Sequence, residues 1–295
     1  MKQITALFII GIVLVVVLSS YRISFAAETS TEPMVNFEQI FGKWDGAFVL
    51  LLPDGDTIIY NATRCSERLS PCSTFKLPNS MIGIETGAMK GVDDTLRWDG
   101  EQRTYDSWNH DHTLRSAIRY SVVWYYQELA RRVGAKRMQY WLDTLRYGNC
   151  DMSGGIDRFW LSGTLKVSAF EQVDFLRRWS RDELPFTRKT MDLVRQISVL
   201  DSTAEYVLRG KTGTGIKNRP DRPDTIRATT NKLETELGWF VGYVERSGAM
   251  YPFALNITGK EATGQIAKGL ALAILRELSL INPAEENGSL QQKRR

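Results

Sequence analysis

Ser73-Thr74-Phe75-Lys76 puts a hydroxyl and an amine within reach of each other. The pair follows Pro71, where a helix is expected to start, and positions i and i+3 of a helix share a face. Ser73 Oγ and Lys76 Nζ can therefore meet. A first helical turn also offers unpaired backbone N–H groups and a positive dipole end, both suited to an oxyanion. A serine needs a base before it attacks, and a desolvated, neutral lysine is one. The plain alternative is a serine helix cap followed by a solvated lysine. Lys211-Thr212-Gly213 closes a predicted strand. It offers a cation, a hydroxyl for a substrate carboxylate and a glycine that admits substrate to the backbone, or it is simply a strand-end turn. Ser121-Val122-Val123 lies in a helical stretch. Its hydroxyl suits a proton relay between base and leaving amine, or it is a serine in an amphipathic helix. Tyr147-Gly148-Asn149 ends a helix, where glycine is an ordinary terminator.

The elements that must position these groups follow from periodicity. Residues 46–52 and 56–60 read as strands around a Pro53-Asp54-Gly55 hairpin turn. A helix is predicted from Ser73 to about Met89. The middle of the chain is helical: Ser116 to Val133, ended by Gly134, then Lys136 to Leu145, Phe170 to Trp179 and Thr187 to Leu200. Strands return at Glu205 to Arg209, leading into Lys211, and at Leu237 to Glu245 and Tyr251 to Ile257. A helix from Thr263 to Leu280 closes the pattern. The fold class is α+β. An antiparallel sheet lobe flanked by helices is built from both chain ends (about 40–80 and 200–281), with an inserted all-α lobe (about 81–199). A cleft between them is a natural ligand site.

Composition narrows the function. The 295 residues are 43% hydrophobic, enough for a sizeable core, and the formal charge of +4 is too weak and scattered for a nucleic-acid partner. Lys2, an apolar run from Ile4 to Leu18, and small residues at Ser24-Phe25-Ala26 form a secretory leader pattern over residues 1–26, with an uncleaved anchor as the alternative. Cleavage leaves residues 27–295 as a protein without membrane contact, exported to the periplasm or secreted. Export permits disulfides, and Cys65 and Cys72 are spaced to bridge or to remain buried thiols, leaving Cys150 unpaired. Asn109-His110-Asp111-His112 holds both histidines of the chain but has no third ligand pattern, so it reads as a loop before a helix and no metal is expected. Asn61-Ala62-Thr63 and Asn256-Ile257-Thr258 are sequons.

The three short motifs, in this order and these contexts, match the penicillin-recognising serine enzymes, and the chain resembles the class D, oxacillinase-type β-lactamases. The resemblance covers about residues 40–281. It also rests on Tyr147-Gly148-Asn149, Trp160 with Leu165-Lys166-Val167-Ser168, Thr214, and Gly238-Trp239-Phe240-Val241-Gly242. It implies a β-lactam as small-molecule partner and Ser73 as nucleophile. It implies Lys76 as general base after carboxylation by carbon dioxide, with no other cofactor. Trp160 would donate its indole N–H to the modified lysine, and Val123 and Leu161 would cover it. Ser121 and Lys211 would carry the proton to the lactam nitrogen. The backbone N–H groups of Ser73 and Thr214 would form the oxyanion hole, and Thr212 and Gly213 would line the substrate edge. Two features depart from the family. Its usual arginine for the substrate carboxylate is missing from Gln265-Ile266-Ala267-Lys268, leaving Lys268 as the candidate, and residues 216–236 form a long charged insertion. A β-lactam-sensing receptor domain and a penicillin-inhibited cell-wall peptidase share these motifs and are the rival readings.

Overall fold

Alternation of side chains along two neighbouring segments sets the architecture. In a computed structural model, which describes residues 35–161, 164–215 and 236–282, Phe48 and Leu50 face one core while Ala47 and Val49 face another. This is the period-two signature of a sheet covered on both sides. The leader expected over residues 1–26, residues 216–235 of the insertion and the C-terminal tail lie outside the described residues.

Helix α1 (Phe37–Phe41) precedes the hairpin of β1 (Asp45–Leu51) and β2 (Thr57–Tyr60). Then come α2 (Ala62–Ser66), a 3₁₀ turn (Cys72–Phe75) and α3 (Lys76–Glu85). A two-residue ladder of β3 (Thr95–Leu96) and β4 (His112–Thr113) leads into α4 (Leu114–Arg119), α5 (Val123–Val133), α6 (Ala135–Leu145), α7 (Ala169–Ser180) and α8 (Arg188–Ile197). Four strands, β5 (Val199–Ser202), β6 (Tyr206–Gly215), β7 (Leu237–Arg246) and β8 (Ala249–Thr258), end in α9 (Gly264–Glu277). Six strands pair antiparallel in the order β2-β1-β8-β7-β6-β5. The central strand β7 is buried on both faces, which explains its unbroken apolar run. Phe41 of α1 and Ala267, Ala271 and Ile274 of α9 cover one face with Phe48, Phe240 and Leu255. Trp239, Val241 and Tyr243 meet the helical middle of the chain on the other.

Three elements differ from the sequence expectation. The helix predicted to reach Met89 stops at Glu85, because Thr86 Oγ1 donates back to the Ile82 carbonyl at 2.7 Å and Gly87 turns left-handed at φ 70°. The helix predicted to reach Leu200 stops at Ile197. Val199–Ser202 instead pairs with the open edge of β6, whose backbone groups need partners. The helix predicted over Ser116–Val133 breaks at Ser121, which sits at φ 56°. Ser121 N–H bonds to the Ile118 carbonyl (3.3 Å) and Val122 N–H to that of Ala117 (2.9 Å), a Schellman closure of α4 with serine where glycine is usual.

Candidate active site

The turn that carries Ser73 is held by side chains from distant parts of the chain. Trp239 Nε1 donates to the Ser70 carbonyl (3.0 Å), while Ser70 Oγ (2.9 Å) and Cys72 N–H (3.1 Å) both donate to the Trp160 carbonyl. Leu69 and Val167 exchange both backbone hydrogen bonds. Thr74 Oγ1 donates to the Pro71 carbonyl (2.7 Å) and accepts from Gln172 Nε2 (2.9 Å), and Gln172 Oε1 accepts from Tyr147 O–H (3.1 Å). All of these groups are buried. Cys72, just before Ser73, takes φ 50°, a left-handed backbone that such packing must enforce.

Lys76 is the first residue of α3, directly after the 3₁₀ turn, and its Nζ lies 2.8 Å from Ser73 Oγ. The side chain has no solvent exposure, and the Tyr126 ring lies 5.2 Å from the amine. Burial, reinforced by the charge of Lys211, holds the amine well below its ordinary pKa. That shift favours the neutral amine, whose lone pair can take the Ser73 proton. Lys211, on β6, is 6% exposed, and its Nζ donates to the carbonyl (3.0 Å) and Oγ1 (3.3 Å) of Thr212. Burial and then Lys268 lower it to about 7. The mutual influence of Lys76, Lys211 and Lys268 places the three amines in one electrostatic neighbourhood.

Glycine lets β6 come this close. A Cβ at Gly213 would lie 3.0 Å from the Pro71 carbonyl and 3.1 Å from Thr74 Cγ2, and one at Gly264 would lie 2.6 Å from the Gly213 carbonyl. The strand is thus seated between the Ser73 turn and the start of α9. Thr214 Oγ1 secures the second contact by accepting from Gly264 N–H at 2.9 Å. Lys211-Thr212-Gly213 lies inside β6 and does not end it: Thr214 and Gly215 continue the ladder opposite Gly238 and Leu237.

Trp160 is fully buried, with its ring stacked at 5.6 Å on Phe75, the neighbour of Lys76. The loop behind it hangs on Tyr147-Gly148-Asn149: Asn149 bonds the Lys166 N–H (2.8 Å), the Lys166 carbonyl (3.0 Å) and the Thr164 carbonyl (2.8 Å). Leu161 and Val123 are half-buried. Ser121 stands on its left-handed turn between α4 and α5. Among the described residues no hydrogen bond joins it to Ser73, Lys76 or Lys211.

Gln172, Trp239 and Tyr126 carry the site without having been assigned a role from the sequence. Gln172 was visible as a polar residue among the apolar face positions Ala169, Val173 and Leu176 of α7, the pattern of a buried polar network. The cysteines are three free thiols. Cys65 Sγ faces the Phe48 and Tyr60 carbonyls and Cys72 Sγ faces Ser70, so the 65–72 bridge is not formed. Burial pushes these two thiols up to about 12 and about 11. Of the sequons, Asn256 is fully buried and Asn61 caps α2. Both ring nitrogens of His112 are engaged, Nδ1 with Ser116 Oγ (2.9 Å) and Nε2 with the Ser107 carbonyl (3.0 Å).

A serine on a one-turn lead into a helix, a buried lysine beneath it and a second lysine on the adjoining strand define an acyl-transfer site on a transpeptidase-like fold. The family of the penicillin binding protein transpeptidase domain matches residues 30–276. The chain is 40% identical over 248 residues to the probable beta-lactamase YbxI of Bacillus subtilis (strain 168), covering 84% of this chain and 86% of that one. A crystal structure of a class D beta-lactamase from Bacillus subtilis superposes with a TM-score of 0.76 at 40% identity, over 85% of this chain and 99% of that one. The C-terminal domain of the Bacillus licheniformis BlaR penicillin-receptor is also similar, with a TM-score of 0.75 at 32% identity, over 83% of this chain and 96% of that domain. The chain belongs to the class D serine β-lactamases.

Proposed function

We propose that the protein opens penicillin-type β-lactams through an ester on Ser73, with Lys76 as the base in both halves of the reaction. The observation that carries this reading is the 2.8 Å approach of Ser73 Oγ to a fully buried amine. Ser73 Oγ attacks the lactam carbonyl as its proton leaves toward Lys76, and the C–N bond breaks as Ser121 and Lys211 deliver a proton to the nitrogen. The backbone N–H groups of Ser73 and Thr214 hold the oxyanion, and removing one such donor costs about 10²–10³ in rate elsewhere. Thr212 and Gly213 align the substrate along β6. Lys268, near Lys211, takes the role of the missing arginine with a point charge instead of a fork.

Lys76 suits carboxylation: a neutral amine adds carbon dioxide and loses one proton, giving an anion. Ser73 Oγ, 2.8 Å from the amine, is a donor available to that anion. The carbamate would supply a stronger base than the amine. Trp160 would donate its indole N–H, and Val123 and Leu161 would limit water. Export and a role in antibiotic resistance follow from the same reading.

The experiment is nitrocefin hydrolysis by purified protein, with and without bicarbonate. Sustained turnover, raised by bicarbonate at low pH and lost in Lys76→Ala, is expected. Full hydrolysis by Lys76→Ala overturns the assigned base. A stoichiometric burst that stalls would identify a receptor like the BlaR domain or a penicillin-inhibited peptidase.

A further inference from the structure

Ser121 occupies a backbone conformation that a β-carbon disfavours by about 1–2 kcal/mol, and something must hold it there. The turn on which it stands is gripped from a segment outside α4 and α5. Trp108, in the 3₁₀ turn Asp106–Trp108, donates its indole N–H to the carbonyl of Tyr120 at 2.9 Å. That carbonyl belongs to the last turn of α4, where the helix leaves its acceptors unpaired. Trp124, in the first turn of α5, donates its own indole N–H to the carbonyl of Trp108 at 2.8 Å. The two indoles thus tie both flanks of Ser121 to one residue, Trp108. His112 anchors that residue's segment to α4 by bonding the Ser107 carbonyl and Ser116 Oγ. Trp124 is 6% exposed, and Arg103 covers its ring at 5.6 Å.

We propose that Trp108 and Trp124 form a two-indole clamp that positions the Ser121 hydroxyl for proton transfer during acylation. This rests on the proton-relay role given to Ser121 above. The clamp compensates for a turn that lacks the usual glycine. It also explains why a serine can stay there: the hydroxyl is wanted at that point, and the indoles supply the restraint that glycine would make unnecessary. Proton transfer depends steeply on placement, so a small drift of the turn slows the chemistry while leaving substrate capture intact.

The test is a double-mutant cycle on the full-length protein, reading the pre-steady-state acylation rate with nitrocefin and its half-saturation concentration. Ser121→Ala is expected to slow acylation by about 10²–10⁴-fold. Trp124→Phe keeps an aromatic ring but removes the indole N–H, and is expected to slow acylation by about ten- to a hundredfold at unchanged half-saturation. The double variant should be no slower than Ser121→Ala, since both changes act through one hydroxyl. Losses that multiply, or a Trp124→Phe rate equal to that of the unaltered protein, overturn the clamp and leave the relay standing. A Ser121→Ala rate equal to that of the unaltered protein overturns the relay and the clamp together. Should Trp124→Phe fail to fold, Trp108→Phe removes the other donor and enters the same cycle with the same expectations.

Discussion

Lys76 and Lys211 are both buried amines, yet the regions that bury them are built differently. Lys76 stands where a 3₁₀ turn becomes a helix, and that turn is fastened by side chains: Trp239 on Ser70, Gln172 on Thr74, Tyr147 on Gln172. Lys211 stands on a ten-residue strand with neighbours on both sides, fastened by main-chain ladders and close glycine contacts. The first region hides its amine entirely and hands it a hydroxyl. The second leaves its amine slightly exposed, bonded to its neighbour Thr212 and with a value of about 7. A fully desolvated amine stays neutral and serves as a base, whereas an amine balanced near neutrality can hold or release a proton during the reaction.

The comparison is open to direct attack. The largest effect belongs to Lys76→Ala, which should abolish nitrocefin turnover. Lys211→Ala should retain measurable acylation, and equal losses would show that the two amines do not have separate tasks. Next comes pH: Lys211 is charged below about 7 and loses that charge above it. The acylation rate should therefore fall as pH passes upward through about 7 and Lys211 loses the proton it delivers, and Lys211→Ala should flatten that fall. A smaller effect is confined to the first region. Gln172→Leu removes the acceptor of the Tyr147 hydroxyl and the donor to Thr74 Oγ1 and should lower unfolding stability by about 1–3 kcal/mol, measured in urea, with turnover falling because Ser73 loses its brace.

The smallest effect is one of stability, read on a variant that, like Lys76→Ala, has lost turnover. Lys76→Met should raise Tm near neutral pH. Burial lowers the Lys76 pKa in the folded protein, while the unfolded chain protonates it below its ordinary value of 10.5. Unfolding then takes up a proton, so the unaltered protein gains stability as pH rises. The Tm advantage of Lys76→Met should accordingly shrink as pH rises and vanish as pH approaches 10.5.

Ser73, Lys76 and Lys211 were legible in the sequence because each pairing is local: three residues along one turn, or a glycine beside a strand lysine. The β1–β2 hairpin and the long apolar strands β7 and β8 were legible for the same reason, since their periodicity is carried by their own residues. Ser121 was placed correctly in order but wrongly inside a helix. The break depends on a serine taking a glycine position and on Trp108, in a separate segment, satisfying the carbonyl it frees. The edge strand β5 was missed because its residues are all exposed and carry no alternation; the open side of β6 recruits it. Gln172 and Trp239 escaped notice as anchors because their partners lie 98 and 169 residues away in the chain.

The Trp160 carbonyl accepts from both Ser70 and Cys72. One oxygen atom therefore rivets the stretch that delivers the indole to the stretch that delivers the nucleophile. Neither can fray alone: an opening that lifts Trp160 and Val167 removes the seat of Ser73 in the same event. Amide exchange at Leu69, Cys72 and Val167 should accordingly share one protection factor, that of a single cooperative unit spanning two distant parts of the chain.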